Sequence, residues 1–105
     1  MKLIVLGSSS AGNGYILNGT NSALIIECGV PFKEAVRAID FNISKVAGAI
    51  ITHSHGDHSK YAKTYIESCI PVYSSAKTAT ESGLTGHFSK HFQSEKQFLI
   101  GDFTI

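Results

Sequence analysis

The stretch AIITHSHGDHSK, residues 49–60, places three histidines and an aspartate within six positions, directly after an apolar run. That run, KVAGAIIT at residues 45–52, is almost continuously apolar and has the length of a strand, which is typical of a strand covered on both faces. The polar cluster therefore lies on the loop that leaves a buried strand. We expect this loop to be the functional centre of the chain.

The residue types in this loop are those of a metal site. Neutral imidazole and carboxylate groups are good ligands for zinc and similar divalent ions. On an extended segment, residues two apart point the same way, so His53 and His55 can bind one ion, while a turn at Gly56 redirects Asp57 and His58. One short loop can thus serve two neighbouring metal ions.

The sequence on either side predicts a run of strands followed by alternating strands and helices, an α/β (α+β) arrangement. Before the loop we predict a strand at KLIVLG, a flexible loop at SSSAGNG that lines the metal cleft, a hairpin at Asn18-Gly19 and a helix from Pro31 with Phe32, Ala35, Val36 and Ile39 on its apolar face. After the loop we predict a short helix over Tyr61–Cys69, a strand at IPVYSS, a helix over Ser75–Ser82 ended by Gly83, and two strands joined by Gly101-Asp102.

Composition bounds the class of protein. The 105 residues suit one domain with a modest core, and 9 basic against 8 acidic residues leave no electrostatic footprint for nucleic acid or membranes. The first apolar run, Leu3–Leu6, is too short for a signal peptide or a membrane span. Cys28 and Cys69 lack any framework spacing and are predicted to be buried thiols in a reducing compartment. These features predict a soluble cytoplasmic protein.

The segment THSHGDHS matches the HxHxDH signature of the metallo-β-lactamase superfamily, and GSSSAGNGYIL with LIIECG looks like its branch of DNA exonucleases and phosphodiesterases. The resemblance implies the N-terminal half of an αββα sandwich, with a mixed sheet flanked by helices. Residues 1–105 would then be a single partial domain whose second half is absent. It also implies a metal-dependent hydrolase that acts on a phosphodiester or related ester, in nucleic acid or a small molecule, by metal-bound hydroxide.

By the same resemblance, His53 and His55 bind a first metal and Asp57 and His58 a second. Asp57 also orients the bridging hydroxide and helps to deliver a proton to the leaving group, so it is the predicted catalytic residue. The implied cofactors are two divalent ions in the complete fold, with zinc preferred and manganese or iron open.

Two departures from the family pattern bear on activity. Glu27 stands where the family usually has an aspartate that braces the motif loop, and we predict that Glu27 and Thr52 support the metal ligands from behind. The remaining family ligands come from a second half, beyond Ile105. We therefore expect this chain alone to bind metal weakly and to hydrolyse little or nothing.

Two alternatives remain open. The chain can be a non-catalytic half-domain that associates with itself or with a second chain. It can also be a small mononuclear metalloprotein completed by His87 or His91. Gly83 and Gly86 disfavour the helix that would pair those two histidines, so we predict surface positions for both.

Overall fold

The computed structural model describes residues 1–9, 11–93 and 97–105, with only the backbone of Asp57, and within these ranges a six-stranded mixed sheet forms the centre of the protein. Its strands lie side by side in chain order: β1 (Lys2–Ser9), β2 (Gly12–Asn18), β3 (Ala23–Ile26), β4 (Val46–Ile50), β5 (Val72–Ser74) and β6 (Ser89–His91). The pairs β1–β2 and β2–β3 are antiparallel, and the three pairs from β3 to β6 are parallel.

The helices are α1 (Phe32–Ala38), α2 (Gly56–Ser59), α3 (Ala62–Glu67) and α4 (Ala76–Glu81), with a 3₁₀ turn at Ile43–Lys45. A separate hairpin pairs β7 (Leu99–Ile100) with β8 (Phe103–Thr104). This architecture confirms the predicted fold class, a mixed sheet flanked by helices.

The strand β4 is covered on both faces, as its apolar run predicts. On one face, helices α1 and α3 pack over a core that includes Ile25, Ala49 and Tyr65. On the other face, Ile100 and Phe103 of the β7–β8 hairpin pack against Leu24 of β3. Packing on both faces of the sheet fixes the position of the carboxyl end of β4, from which the histidine loop begins.

Local signals account for the ends of two helices. Pro31 precedes the first residue of α1, where a missing N–H costs least. Ser75 caps α4 by accepting a hydrogen bond from the Thr78 N–H, and Gly83 follows the helix at φ 69°. The predicted hairpin also forms, with the Gly19 N–H donating to the Ser22 carbonyl at 3.0 Å.

The prediction of a flexible loop at SSSAGNG is wrong. Strand β1 runs through Ser9, and β2 begins at Gly12. Glycine explains the difference, because a Cβ added at Gly12 would lie 2.3 Å from the carbonyl oxygen of Gly29. The missing side chain lets this part of β2 approach the segment after β3, and the Gly29 N–H donates to the Asn13 carbonyl at 2.9 Å.

One element was missed, and one further expectation needs correction. Strand β6 was not predicted, because its three residues carry no local strand signal and pair only with the neighbouring β5. Cys28 is buried as expected, but Cys69 is exposed. Cys69 lies just after the end of α3, and its φ of 65° shows that the helix does not continue through it.

In the described part of the chain, no helix has both the length and the apolar character that crossing a membrane requires.

Candidate metal centre

The histidine loop is attached by its backbone to the segment that follows β3. The Glu27 N–H donates to the Ile50 carbonyl at 2.7 Å, and the Cys28 N–H donates to the His58 carbonyl at 2.6 Å. The Tyr61 N–H in turn donates to the Cys28 carbonyl at 2.9 Å. These bonds fix both the start of the loop and the end of α2, so the ligand-bearing segment has a rigid base.

Three of the predicted ligands come together on this base. The ring centroids of His53 and His58 are 3.9 Å apart, and those of His53 and His55 are 4.7 Å apart with the rings nearly perpendicular. One ligand atom each from Glu27, His53 and His58 lie within 4.8 Å of one another. Grouped imidazoles beside a carboxylate fit a divalent transition metal.

Glu27 is almost fully buried, with 3% of its surface exposed, and its backbone has φ 71°. One carboxylate oxygen accepts the Thr52 N–H at 2.8 Å, and the other contacts Nδ1 of His58. The Thr52 hydroxyl lies 2.8 Å from Nδ1 of His53. Both imidazoles are therefore engaged at Nδ1, the arrangement in which a partner behind the ring orients a metal-binding histidine.

Hydrogen bonds also join the loop to helix α4. The Ser59 hydroxyl donates to the Ser54 carbonyl at 2.9 Å and to the His55 carbonyl at 3.1 Å. The Ser54 hydroxyl donates to a carboxylate oxygen of Glu81 at 3.0 Å. The serines between and after the histidines thus hold the shape of the loop.

Asp57 lies in α2, and its side chain is outside the described residues. Its predicted roles as metal ligand and catalytic residue remain predictions.

Asn13 is a site residue that the sequence did not single out. Its Nδ2 donates to the Ser9 carbonyl at 3.1 Å and lies 3.4 Å from Nε2 of His58. The available signal was its position between Gly12 and Gly14, since glycines mark close backbone approach. The predicted placement of this segment beside the cleft agrees with the structure.

His87 and His91 lie apart from the three grouped ligands. Both are exposed, and His87 contacts Phe88 edge to face with ring centroids 5.2 Å apart. Among the described residues, the group able to hold a metal contains neither of them. This agrees with the prediction that both are surface residues.

Two buried groups that keep their protons, the Cys28 thiol and the Tyr65 hydroxyl, lie beneath the loop. Burial, and next the charge of Glu27, raise the pKa of the Cys28 thiol well above its ordinary value. Burial, and next Cys28, raise the pKa of Tyr65, whose hydroxyl donates to the Val30 carbonyl at 3.0 Å. Both groups stay neutral and serve as packing beneath the site.

Comparison with solved structures identifies the fold. The fold matches the metallo-β-lactamase fold protein YhfI from Bacillus subtilis with a TM-score of 0.73 and 20% identity, over 97% of this chain and 50% of that one. It matches TMB-1 with a TM-score of 0.63 and 27% identity, over 86% of this chain and 43% of that one. The chain has the metallo-β-lactamase fold, as its motif predicts.

Sequence comparison gives the family. The family model described as Anti-Pycsar protein Apyc1 matches residues 1–62, more than half of the chain, and the chain belongs to this family. Exodeoxyribonuclease YycJ from Bacillus anthracis is 35% identical over 81 residues, which cover 70% of this chain and 30% of that protein. The chain thus spans less than a third of the length of that relative and about half of the two matched structures.

Proposed function

We propose that this chain carries the first part of the metal centre of a metallo-β-lactamase-fold hydrolase that cleaves a phosphodiester or related ester. The observation that carries the proposal is the grouping of His53, His55 and His58, with Nδ1 of two of the rings engaged by Thr52 and Glu27. The hydrolase class of the matched fold and the name of the exodeoxyribonuclease relative support it.

In this proposal, His53 and His55 hold one divalent cation, and His58 with Asp57 holds a second. Imidazole and carboxylate ligands suit zinc, and also manganese or iron. When bound, such cations supply a Lewis acid for the phosphoryl or carbonyl oxygen and lower the pKa of a bound water. Glu27 keeps the His58 proton on Nδ1 and fixes the ring, and the Thr52 hydroxyl orients the ring of His53 through its Nδ1.

Hydrolysis of bis(p-nitrophenyl) phosphate with and without added zinc tests this function. We expect a slow rate above that of free zinc, because the chain supplies two protein ligands for each ion where a catalytic zinc typically has three. The rate should vanish in the His53→Ala/His55→Ala variant and persist in His87→Ala. Equal rates in the wild type and the double variant would contradict the proposal.

Strand β1 favours a second candidate function, in which the chain is a half-domain that associates with itself or with another chain. Ile4 and Leu6 pack on the core below the sheet, whereas Leu3 and Val5 point to the other face and are 57% and 58% exposed. They pair with Leu17 and Tyr15 of β2, so the open face carries an apolar strip. Apolar residues on both faces of a strand are typical of a strand covered on both sides.

Sedimentation velocity over a wide concentration range tests this association. We expect the wild type to associate as its concentration rises and the Leu3→Lys/Val5→Lys variant to stay monomeric. Phe41→Lys, which changes an exposed apolar residue outside the sheet, should behave as the wild type. A wild type that is monomeric throughout would exclude self-association.

A further inference from the structure

Ser54 joins the histidine loop to helix α4 from a position between two predicted ligands. The rings of His53 and His55 meet edge to face with centroids 4.7 Å apart, so they share one side of the loop. The Ser54 hydroxyl donates to a carboxylate oxygen of Glu81 at 3.0 Å, and the Ser54 carbonyl accepts the Ser59 hydroxyl at 2.9 Å. The hydroxyl and the carbonyl of Ser54 are therefore both held, and the two neighbouring histidines are fixed through the same stretch of backbone.

Glu81 reaches the loop from a fixed base. It is the last residue of α4, a helix that Ser75 caps directly after β5. Ala79 of the same helix is 1% exposed and belongs to the core together with Leu84, whose N–H donates to the Ala79 carbonyl at 2.9 Å. The sheet and the core therefore hold the helix that carries the Glu81 carboxylate.

The place of Glu81 in its own helix is electrostatically unfavourable. The last carbonyl oxygens of a helix carry a partial negative charge and disfavour a carboxylate in the last turn. The last turn of α4 contains no basic residue, and within the described ranges neither ion pair involves Glu81. Its favourable contact is the hydrogen bond from Ser54. A residue that disfavours its own helix and holds a neighbouring loop indicates a role in that loop.

We infer that Glu81 is a positioning residue of the metal centre: by holding Ser54, its carboxylate keeps His53 and His55 turned toward one cation. This inference rests on the proposed function and adds to it a residue from outside the histidine motif. Loss of a partner behind a metal ligand typically lowers metal affinity by about 10- to 100-fold. Glu81 acts through one further residue, so its effect belongs at the lower end of that range, about tenfold.

The first test needs no metal. Because the rings of His53 and His55 meet edge to face, the ¹H NMR shifts of their ring protons at one fixed pH report how the two rings are oriented. We expect these shifts to change in Glu81→Ala and to stay near the wild type in Glu81→Gln, whose amide oxygen still accepts the Ser54 hydroxyl. Glu67→Ala is the matched control, since Glu67 is the exposed last residue of α3. Unchanged shifts in Glu81→Ala would overturn the inference.

The second test measures zinc affinity by competition with a chromophoric chelator. We expect Glu81→Ala and Ser54→Ala each to bind zinc about tenfold more weakly, and the double variant no more weakly than either, because all three lack the same hydrogen bond. Glu81→Gln should recover most of the affinity although its charge is gone. Equal losses in Glu81→Gln and Glu81→Ala would assign the effect to charge alone, and additive losses in the double variant would separate the two residues. Either result would overturn the positioning role.

Urea denaturation of the metal-free chain distinguishes this role from a purely structural one. The Glu81 carboxylate is poorly placed in α4, and alanine is the better helix former. We therefore expect the urea midpoint of Glu81→Ala to equal or exceed that of the wild type while its zinc affinity falls. A midpoint below that of the wild type would make Glu81 a support for the fold and would overturn the inference.

The outcomes separate the two proposals. A wild type that takes up no zinc would overturn the proposed function, and the inference with it. A wild type that takes up zinc no more tightly than Glu81→Ala does would overturn the role of Glu81 alone.

Discussion

Replacement of Glu27 by glutamine tests how the chain prepares its ligands. Both oxygens of this buried carboxylate are used, one by the Thr52 N–H and the other by Nδ1 of His58. Glutamine has the same shape but one oxygen and one NH₂ group. If the glutamine oxygen keeps the hydrogen bond from the Thr52 N–H, the glutamine NH₂ faces Nδ1 of His58. The His58 proton must then move to Nε2, the atom that would bind metal. If the amide is rotated, two N–H donors meet at Thr52.

Either orientation loses one hydrogen bond of an almost fully buried side chain, which costs about 1–3 kcal/mol of the free energy of unfolding. Loss of such a supporting partner typically lowers metal affinity by about 10- to 100-fold. Competition with a chromophoric zinc chelator measures the affinity, and urea denaturation measures the stability. Glu34→Gln, at an exposed position of α1, is the matched control, and Glu27→Asp should retain part of the affinity. Wild-type zinc affinity in a folded Glu27→Gln would refute the reasoning.

Three further predictions concern the scaffold beneath the site. Gly12→Ala should lower the free energy of unfolding, measured in urea, by about 1–3 kcal/mol, because its Cβ would press on the Gly29 carbonyl. Gly56→Ala, whose Cβ would have nothing within 4 Å, should cost little, and equal costs for the two variants would contradict the close approach at Gly12. Iodoacetamide should alkylate the exposed Cys69 and spare the buried Cys28 in the native protein, as read by mass spectrometry of peptides; equal labelling would show that the base of the site opens. Because burial raises the pKa of Cys28 above its ordinary 9.0, only the unfolded thiol ionises as the pH rises past that value. Stability to urea should therefore fall as the pH rises above about 9, less steeply in Cys28→Ala, and a stability that rises there would contradict the assigned burial.

The parts of the fold that were predicted correctly carry local signals. An apolar run marks β4, Asn18-Gly19 marks a hairpin, and Ser75 with Gly83 marks the two ends of α4. Each of these signals lies within a few residues of the element that it marks, so the element can be predicted from the sequence.

The elements that the sequence did not predict depend on contacts between distant segments. In the sequence, the glycines at residues 7–14 suggest a flexible loop. In the structure, they allow β1 and β2 to pack closely against Gly29 and Val30. Strand β6 exists through its pairing with β5, and Cys69 is exposed at a position of positive φ after α3.

The same distinction holds for the site. The histidines follow one another in a short motif, so their grouping could be predicted from spacing. Glu27 was predicted from the family pattern, and the structure adds the two bonds through which its carboxylate acts. The contact between Asn13 and His58 joins residues 45 positions apart, and only the folded backbone brings them together.

Zinc titration calorimetry on the wild type and on His53→Ala/His55→Ala tests the central claim most directly, with His87→Ala/His91→Ala as the control. The account predicts zinc binding in the wild type and in the control, and its loss in the variant without His53 and His55. Zinc binding of equal strength in all three proteins, or none in the wild type, would contradict the assignment of these histidines to a metal centre.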